Sequence, residues 1–108
     1  MASELNRGDI WMYTFASPDK RRPVLVLTRQ EVIKVLGTVM VAPITSTIHG
    51  APSEVIAGVE EGLKKESAIN LDHVQTVDKN RLKRFIGTVG PAKMTEVCKA
   101  LAIATGCS

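Results

Sequence analysis

The order of apolar and polar positions predicts a chain built mostly from short strands. The continuous apolar run 24–27 and the segment 38–44 are rich in β-branched residues and are typical of strands buried on both faces. Aromatic and β-forming residues over 10–15 predict an earlier strand, and a loose alternation over 53–59 predicts an edge strand. Residues 29–36 fit either a single helical turn or a loop.

The second half of the chain predicts further strands and a terminal helix. Residues 67–77 fit a pair of strands or one bent strand, and 81–89 fit a short turn and a last strand. Gly90-Pro91 opens a helix because proline suits the first turn, and Gly106 suits the end of that helix. Apolar residues at helical spacing are expected in the core or at a dimer contact: Met94, Val97, Leu101 and Ala102.

Many short strands and one helix predict a mainly β protein of the α+β class, a small and mostly antiparallel barrel. The length of 108 residues predicts a single domain over 1–108. Hydrophobic residues make up 44% and charged residues 23%, which is typical of a globular domain rather than a disordered chain. The formal net charge of +3 permits an anionic partner without requiring one.

The chain start and the cysteines predict where the protein acts. The first ten residues carry charges and no apolar core, so no secretory signal is expected, and no apolar run is long enough for a membrane span. Cys98 and Cys107 would lie about 13 Å apart along a helix at ~1.5 Å per residue, too far for a disulfide. We therefore expect free thiols and a cytoplasmic protein without membrane contact.

The stretch with the clearest chemistry is a cluster of three cations, Lys20, Arg21 and Arg22, directly before Pro23. Proline fixes φ and has no N–H, so Pro23 is expected at the first residue of a strand. The residue before a proline favours extended geometry, which would hold Arg22 at the mouth of that strand. A guanidinium offers a planar fork of donors that matches a phosphate.

Other chemistry has no motif in this chain. His49 and His73 lie on separate segments without ligands at metal-binding spacing, so no metal and no cofactor are expected. There is no glycine-rich phosphate loop and no G-x-S-x-G elbow. Residue patterns by themselves therefore indicate a small basic β-barrel.

Four segments in order resemble the MazF/PemK family of toxins from type II toxin–antitoxin systems. They are Arg7-Gly8-Asp9-Ile10-Trp11, Arg22-Pro23-Val24-Leu25-Val26-Leu27, Val41-Ala42-Pro43-Ile44-Thr45-Ser46, and Thr76-Val77-Asp78 with Arg81-Leu82. The resemblance implies an SH3-like antiparallel β-barrel with a C-terminal helix. It also implies a homodimer and a metal-independent, sequence-specific endoribonuclease that cleaves single-stranded RNA, chiefly mRNA. A cognate MazE-like antitoxin would neutralise it.

The family's catalytic arginine, which precedes the proline, falls on Arg22, and its catalytic threonine falls on Thr45. In such a reaction the ribose 2′-hydroxyl attacks its own phosphodiester, giving a 2′,3′-cyclic phosphate and a 5′-hydroxyl. Arg22 would stabilise the developing charge, and Thr45 would hold the phosphate in line. Further RNA-binding residues are expected around this pair: Lys20, Arg21, Ser46, Thr47, Asn70, Asp72 and Gln75.

The chain departs from the family pattern in two places. The loop before Arg22 is short and lacks the glycine and histidine of some members, so the RNA target sequence does not carry over. Some members have an arginine and an aspartate as acid and base where this chain has Asn70 and Asp72. Asp72 could still act as a base, Asn70 cannot donate a proton in that way, and His73 is a conceivable substitute.

Two other classes share a small barrel. A gyrase-poisoning toxin of the CcdB type carries a tryptophan-bearing tail, whereas residues 104–108 contain no aromatic residue. A non-catalytic SH3-like interaction module uses an aromatic groove for proline-rich ligands, whereas only 4% of this chain is aromatic. Both alternatives are weaker than the endoribonuclease hypothesis.

Overall fold

The computed structural model describes residues 4–15 and 21–107, so the predicted RNA-binding residue Lys20 lies outside the described residues. Within these ranges the strands are β1 Asp9–Thr14, β2 Arg21–Val26, β3 Thr38–Thr45, β4 Glu54–Ala57, β5 Ser67–Asn70, β6 Gln75–Asp78 and β7 Arg84–Thr88. The helices are α1 Gln30–Ile33 and α2 Pro91–Thr105, and short 3-10 turns span Val59–Glu61, Leu71–His73 and Lys79–Arg81.

The strands form an antiparallel half-barrel. Their order is β4-β5-β3-β2-β1-β7, and β6 pairs with the first half of β3. All strand pairs are antiparallel, and α2 follows the last strand. The predicted antiparallel β fold with a C-terminal helix is confirmed. The structure also decides between the alternatives left by the sequence. Residues 29–36 contain a helical turn, and residues 67–77 contain two strands separated by a 3-10 turn.

Strand β2 has an apolar cluster on each face. Side chains alternate along a strand, so Leu25 packs into a cluster with Val97 of α2, while Val24 packs into a second cluster with Trp11 and Ile33. The prediction that 24–27 is buried on both faces is therefore correct. Burying an aliphatic side chain of this size contributes about 1.5–3 kcal/mol, so the strand is held firmly on both faces.

The same prediction for β3 is wrong in its first half. Thr38 is exposed, and Met40 is 41% exposed, although Val39 and Val41 are buried. The cluster that contains α2 reaches β3 only at Ala42 and Ile44. The earlier residues on that face have no helix above them, so this half of β3 alternates between buried and exposed positions.

Helix α2 begins and ends where the glycines and proline predict. Gly90 is its N-cap residue, Pro91 is its first residue, and Gly106 ends it in the left-handed region with φ of 75°. Val97 and Ala100 are its buried positions. Among the described residues, no helix has both the length and the apolar character needed to cross a membrane. Both cysteines are free and exposed.

Candidate active-site cleft

A cleft opens where β3 separates from β2. The β2–β3 pairing ends at Val24 opposite Pro43. Beyond that point β3 pairs with β5 instead, with Thr45 opposite Ala68. The ends of β2 and β3 therefore stand apart, with the arginines on one side and the hydroxyl segment on the other.

The position of Pro23 explains why the ladder stops. The backbone N–H of Leu27 donates to the carbonyl of Met40 at 2.8 Å. Hydrogen-bonding residues alternate on an antiparallel ladder, so the donors toward β3 fall on Leu27, then Leu25, then residue 23. Proline has no N–H to donate, and the ladder therefore ends there. Pro23 is the third residue of β2 and not its first, which corrects the sequence prediction.

The cleft has a volume of about 420 Å³ and is strongly basic. It is lined by Met12, Arg21, Arg22, Pro23, Ile44, Thr45, Ser46, Gly62, Leu63, Lys64, Lys65, Ser67, Arg84 and Ile86. Five of these residues are cations, and no carboxylate is among them. Four residues predicted from the sequence meet here: Arg21, Arg22, Thr45 and Ser46. A basic cleft of this size suits an anionic ligand.

The strand register places Arg22 and Thr45 on the same face. Arg22 lies opposite Tyr13 of β1, and extending the β2–β3 register by two residues brings it opposite Thr45. Directly opposed residues on an antiparallel pair project to the same face. Arg21 lies opposite Thr14 and projects to the other face, so the two arginines reach the cleft from different sides of β2.

The hydroxyl of Thr45 is oriented by its own turn. Its Oγ1 accepts a hydrogen bond from the backbone N–H of Thr47 at 3.2 Å, which is the local turn bond that threonine commonly makes. A hydroxyl that accepts one hydrogen bond still has its proton to donate. Thr47 itself is exposed and is not among the cleft-lining residues, so its contact with the site is this backbone N–H.

Asn70, Asp72 and Gln75 do not line the cleft. The side-chain oxygen of Asn70 accepts from the backbone N–H of Asp72 at 2.9 Å, and its amide nitrogen lies 2.9 Å from Nδ1 of His73. Asp72 accepts a hydrogen bond from the buried hydroxyl of Ser53. These contacts hold the 3-10 turn after β5 against the start of β4, while Gln75 is exposed on β6.

Three cleft cations were missed in the sequence: Lys64, Lys65 and Arg84. The Lys64-Lys65 pair is visible as a basic doublet, but nothing nearby marks it as part of a site. Arg84 reaches the cleft because β7 pairs with β1, which brings it opposite Met12. Strand pairing places Arg84 in the same cleft as Arg22, and the packing of the Glu61–Gly62 backbone against Gly87 of β7 places the two lysines there.

The sequence of this chain matches a known protein family. Residues 6–105 match the family described as PemK-like, MazF-like toxin of type II toxin–antitoxin system. The chain belongs to this family. The match spans every cleft-lining residue, from Met12 to Ile86, and it confirms the resemblance drawn from the four sequence segments.

Individual relatives of this MazF-like chain agree with that assignment. It is 36% identical over 104 residues to the probable endoribonuclease MazF2 of Mycobacterium tuberculosis, covering 95% of this chain and 100% of the relative. The Mycobacterium tuberculosis toxin MazF-mt6 superposes with a TM-score of 0.85 at 34% identity, covering 93% of this chain and 98% of that one. A mycobacterial endoribonuclease solved with its cognate antitoxin superposes with a TM-score of 0.86 at 25% identity, covering 97% and 98%.

Proposed function

We propose that this MazF-like toxin is a metal-independent endoribonuclease that cleaves single-stranded RNA, chiefly mRNA, at short specific sequences. Endoribonuclease activity is supported by family membership and by relatives that are named endoribonuclease MazF. The observation that carries the site assignment is that Arg22 and Thr45 line one cleft together with four other cations and no carboxylate. A gyrase poison and a non-catalytic module are not supported by these relatives.

In the proposed reaction, the 2′-hydroxyl oxygen forms a bond to the adjacent phosphorus while the bond from phosphorus to the 5′-oxygen breaks. The phosphoryl oxygens gain charge, which the guanidinium of Arg22 stabilises, and the hydroxyl of Thr45 donates to one of them. One proton leaves the 2′-hydroxyl and one reaches the departing 5′-oxygen. No carboxylate or histidine lines the described cleft, so the first proton passes to water or to a group beyond it.

The proposed partners follow from the same family. A solved mycobacterial relative is an endoribonuclease in complex with its cognate antitoxin, and crystals of MazE with MazF exist for Deinococcus radiodurans. We infer a MazE-like antitoxin for this chain, a homodimeric toxin, and action in the cytoplasm, where its RNA substrate lies. An anionic antitoxin segment would suit the basic cleft.

The direct test is to incubate the purified protein with a mixed RNA pool in the presence of EDTA and to sequence the new 5′ ends. We expect discrete cleavage sites that share a short motif, with 5′-hydroxyl and 2′,3′-cyclic phosphate termini. Cleavage that requires added Mg²⁺ would contradict the metal-independent mechanism. Intact RNA together with a gyrase-dependent DNA break would support the CcdB-type alternative instead.

Two substitutions of Thr45 separate its hydroxyl from its shape. Thr45→Val keeps the shape but removes the donor, and we expect cleavage to slow by about 10²-fold or more, as for loss of one oxyanion donor. Thr45→Ser keeps the hydroxyl and should retain most of the activity. The bond from Thr47 N–H is exposed to solvent, so stability should change little in either variant. Equal rates for Thr45→Val and Thr45→Ser would exclude a role for the hydroxyl.

A further inference from the structure

The floor of the cleft is a row of residues that runs across three strands. Pro23 on β2, Met12 on β1 and Arg84 on β7 are directly opposed in the two strand registers. Opposed residues share a face, and neighbouring strands lie about 5 Å apart, so the Cα atoms of Pro23 and Arg84 are separated by about 10 Å. Arg84 therefore stands at the far end of the floor from the β2–β3 opening.

The segment that carries the two lysines is fixed against β7 and is not a free loop. Glu61 is buried, its Oε1 accepts from the backbone N–H of Gly58 at 2.7 Å, and its Oε2 lies 3.8 Å from Nζ of Lys93. The backbone around Glu61 and Gly62 lies directly against the backbone of β7 at Gly87. Lys64 and Lys65 follow this anchored turn and line the cleft with Arg84.

Lys64, Lys65 and Arg84 form one wall of the cleft. Within the described part of the chain these three cations have no structural partner, whereas several other lysines and arginines do. Arg81 donates to the carbonyl of Thr14 at 3.2 Å and stacks over Tyr13, and Lys79 donates to the carbonyl of Ile33 at 2.6 Å. By contrast, Lys64, Lys65 and Arg84 are exposed and make no hydrogen bond or ion pair with a described residue. One phosphodiester carries one negative charge, and in the proposed function Arg21 and Arg22 already face the scissile one.

We propose that Arg84, with Lys64 and Lys65, forms a second phosphate subsite that binds a phosphate next to the scissile one along the RNA strand. The RNA strand then passes from the β2–β3 opening onto the face of the sheet that carries Arg21, over Met12, to β7. This assignment rests on the proposed endoribonuclease function and adds a positioning role for a different wall of the same cleft. Arg84 is the main ligand, because its planar fork can bind two phosphate oxygens at once.

The test uses Arg84→Gln and an oligoribonucleotide that contains one mapped cleavage site. We expect KM to rise about tenfold with kcat nearly unchanged, since a charge-assisted hydrogen bond contributes to binding and not to the bond-breaking step. On a 2′-deoxy, non-cleavable oligonucleotide, the slope of log K against log salt should become shallower by about 0.7. The KM of Arg84→Lys should lie between those of the wild-type protein and Arg84→Gln. Lys99→Ala, on the exposed face of α2, is the matched charge control.

Neutral methylphosphonate linkages identify the phosphate that is bound. They are placed one at a time on each side of the cleavage site, and the wild-type protein and Arg84→Gln are compared on each. At the linkage that Arg84 binds, the loss of binding affinity caused by the neutral linkage and the loss caused by Arg84→Gln should not add. Additive losses at every linkage, or an unchanged KM in Arg84→Gln, would overturn the second subsite while leaving cleavage intact. Failure of the wild-type protein to cut any RNA would instead reject the proposed function.

Discussion

Replacing Arg22 by alanine is expected to reduce RNA cleavage by about 10²–10⁴-fold while the protein stays folded. Arg22 is half-buried near the start of β2, lines the same cleft as Thr45, and precedes Pro23, which favours an extended backbone at Arg22. Its side chain makes no hydrogen bond or ion pair with any residue in the described ranges, so its removal should change the free energy of unfolding by less than about 0.5 kcal/mol. Single-turnover cleavage of a mapped RNA site measures the first quantity, and urea unfolding measures the second.

Arg22→Lys is the informative companion variant. It keeps the positive charge but loses the planar fork, so it should bind RNA nearly as well as the wild-type protein and cleave it far more slowly. Arg29→Ala removes an exposed arginine that does not line the cleft and should leave cleavage unchanged. Cleavage by Arg22→Ala at the wild-type rate would reject the catalytic assignment. An equal loss of cleavage rate in Arg29→Ala would show that the loss comes from the general reduction in positive charge.

The strands of the core were predictable because local sequence patterns, namely short apolar runs rich in β-branched residues, mark them. The run 24–27 is buried on both faces, as its composition predicts, since each face of β2 meets its own apolar cluster. The burial of β3 was predicted less well, because the extent to which α2 covers it depends on tertiary packing and not on the run 38–44. Exposed Met40 is the residue that shows this difference.

The candidate site was predictable on one side only. Arg22 and Thr45 stand in short motifs that each contain a proline, and Pro23 also explains why β2 and β3 separate there. The wall of Arg84 and the two lysines has no such local signal. It depends on the pairing of β1 with β7 and on a backbone contact between residues about 25 positions apart in sequence. Asn70 and Asp72 show the opposite case, since a motif position suggested RNA contact, whereas the Asn70 side chain bonds within its own turn and the Asp72 carboxylate accepts from Ser53.

Gly87→Ala is expected to destabilise the protein by about 1–3 kcal/mol, toward the upper end of what overpacking costs. A Cβ at Gly87 would overlap the carbonyl oxygen of Glu61 and would lie 2.9 Å from the carbonyl carbon and 3.2 Å from Cα of Gly62. Both partners are backbone, so no side chain can rotate away. The turn Val59–Glu61 must instead move off β7, which would also displace Lys64 and Lys65 from the cleft.

Denaturant and thermal unfolding test this prediction, with a melting temperature lower by about 4–8 °C for each kcal/mol lost in a domain near this size. Gly37→Ala is the matched control: its Cβ meets nothing within 4 Å, so its stability should change by no more than about 0.5 kcal/mol. If the turn holds Lys64 and Lys65 in the cleft, Gly87→Ala should also weaken RNA binding at temperatures where the protein remains folded, and Gly37→Ala should not. A Gly87→Ala protein as stable as Gly37→Ala would show that the turn does not rest on β7, and the lysine wall would then lose its structural basis.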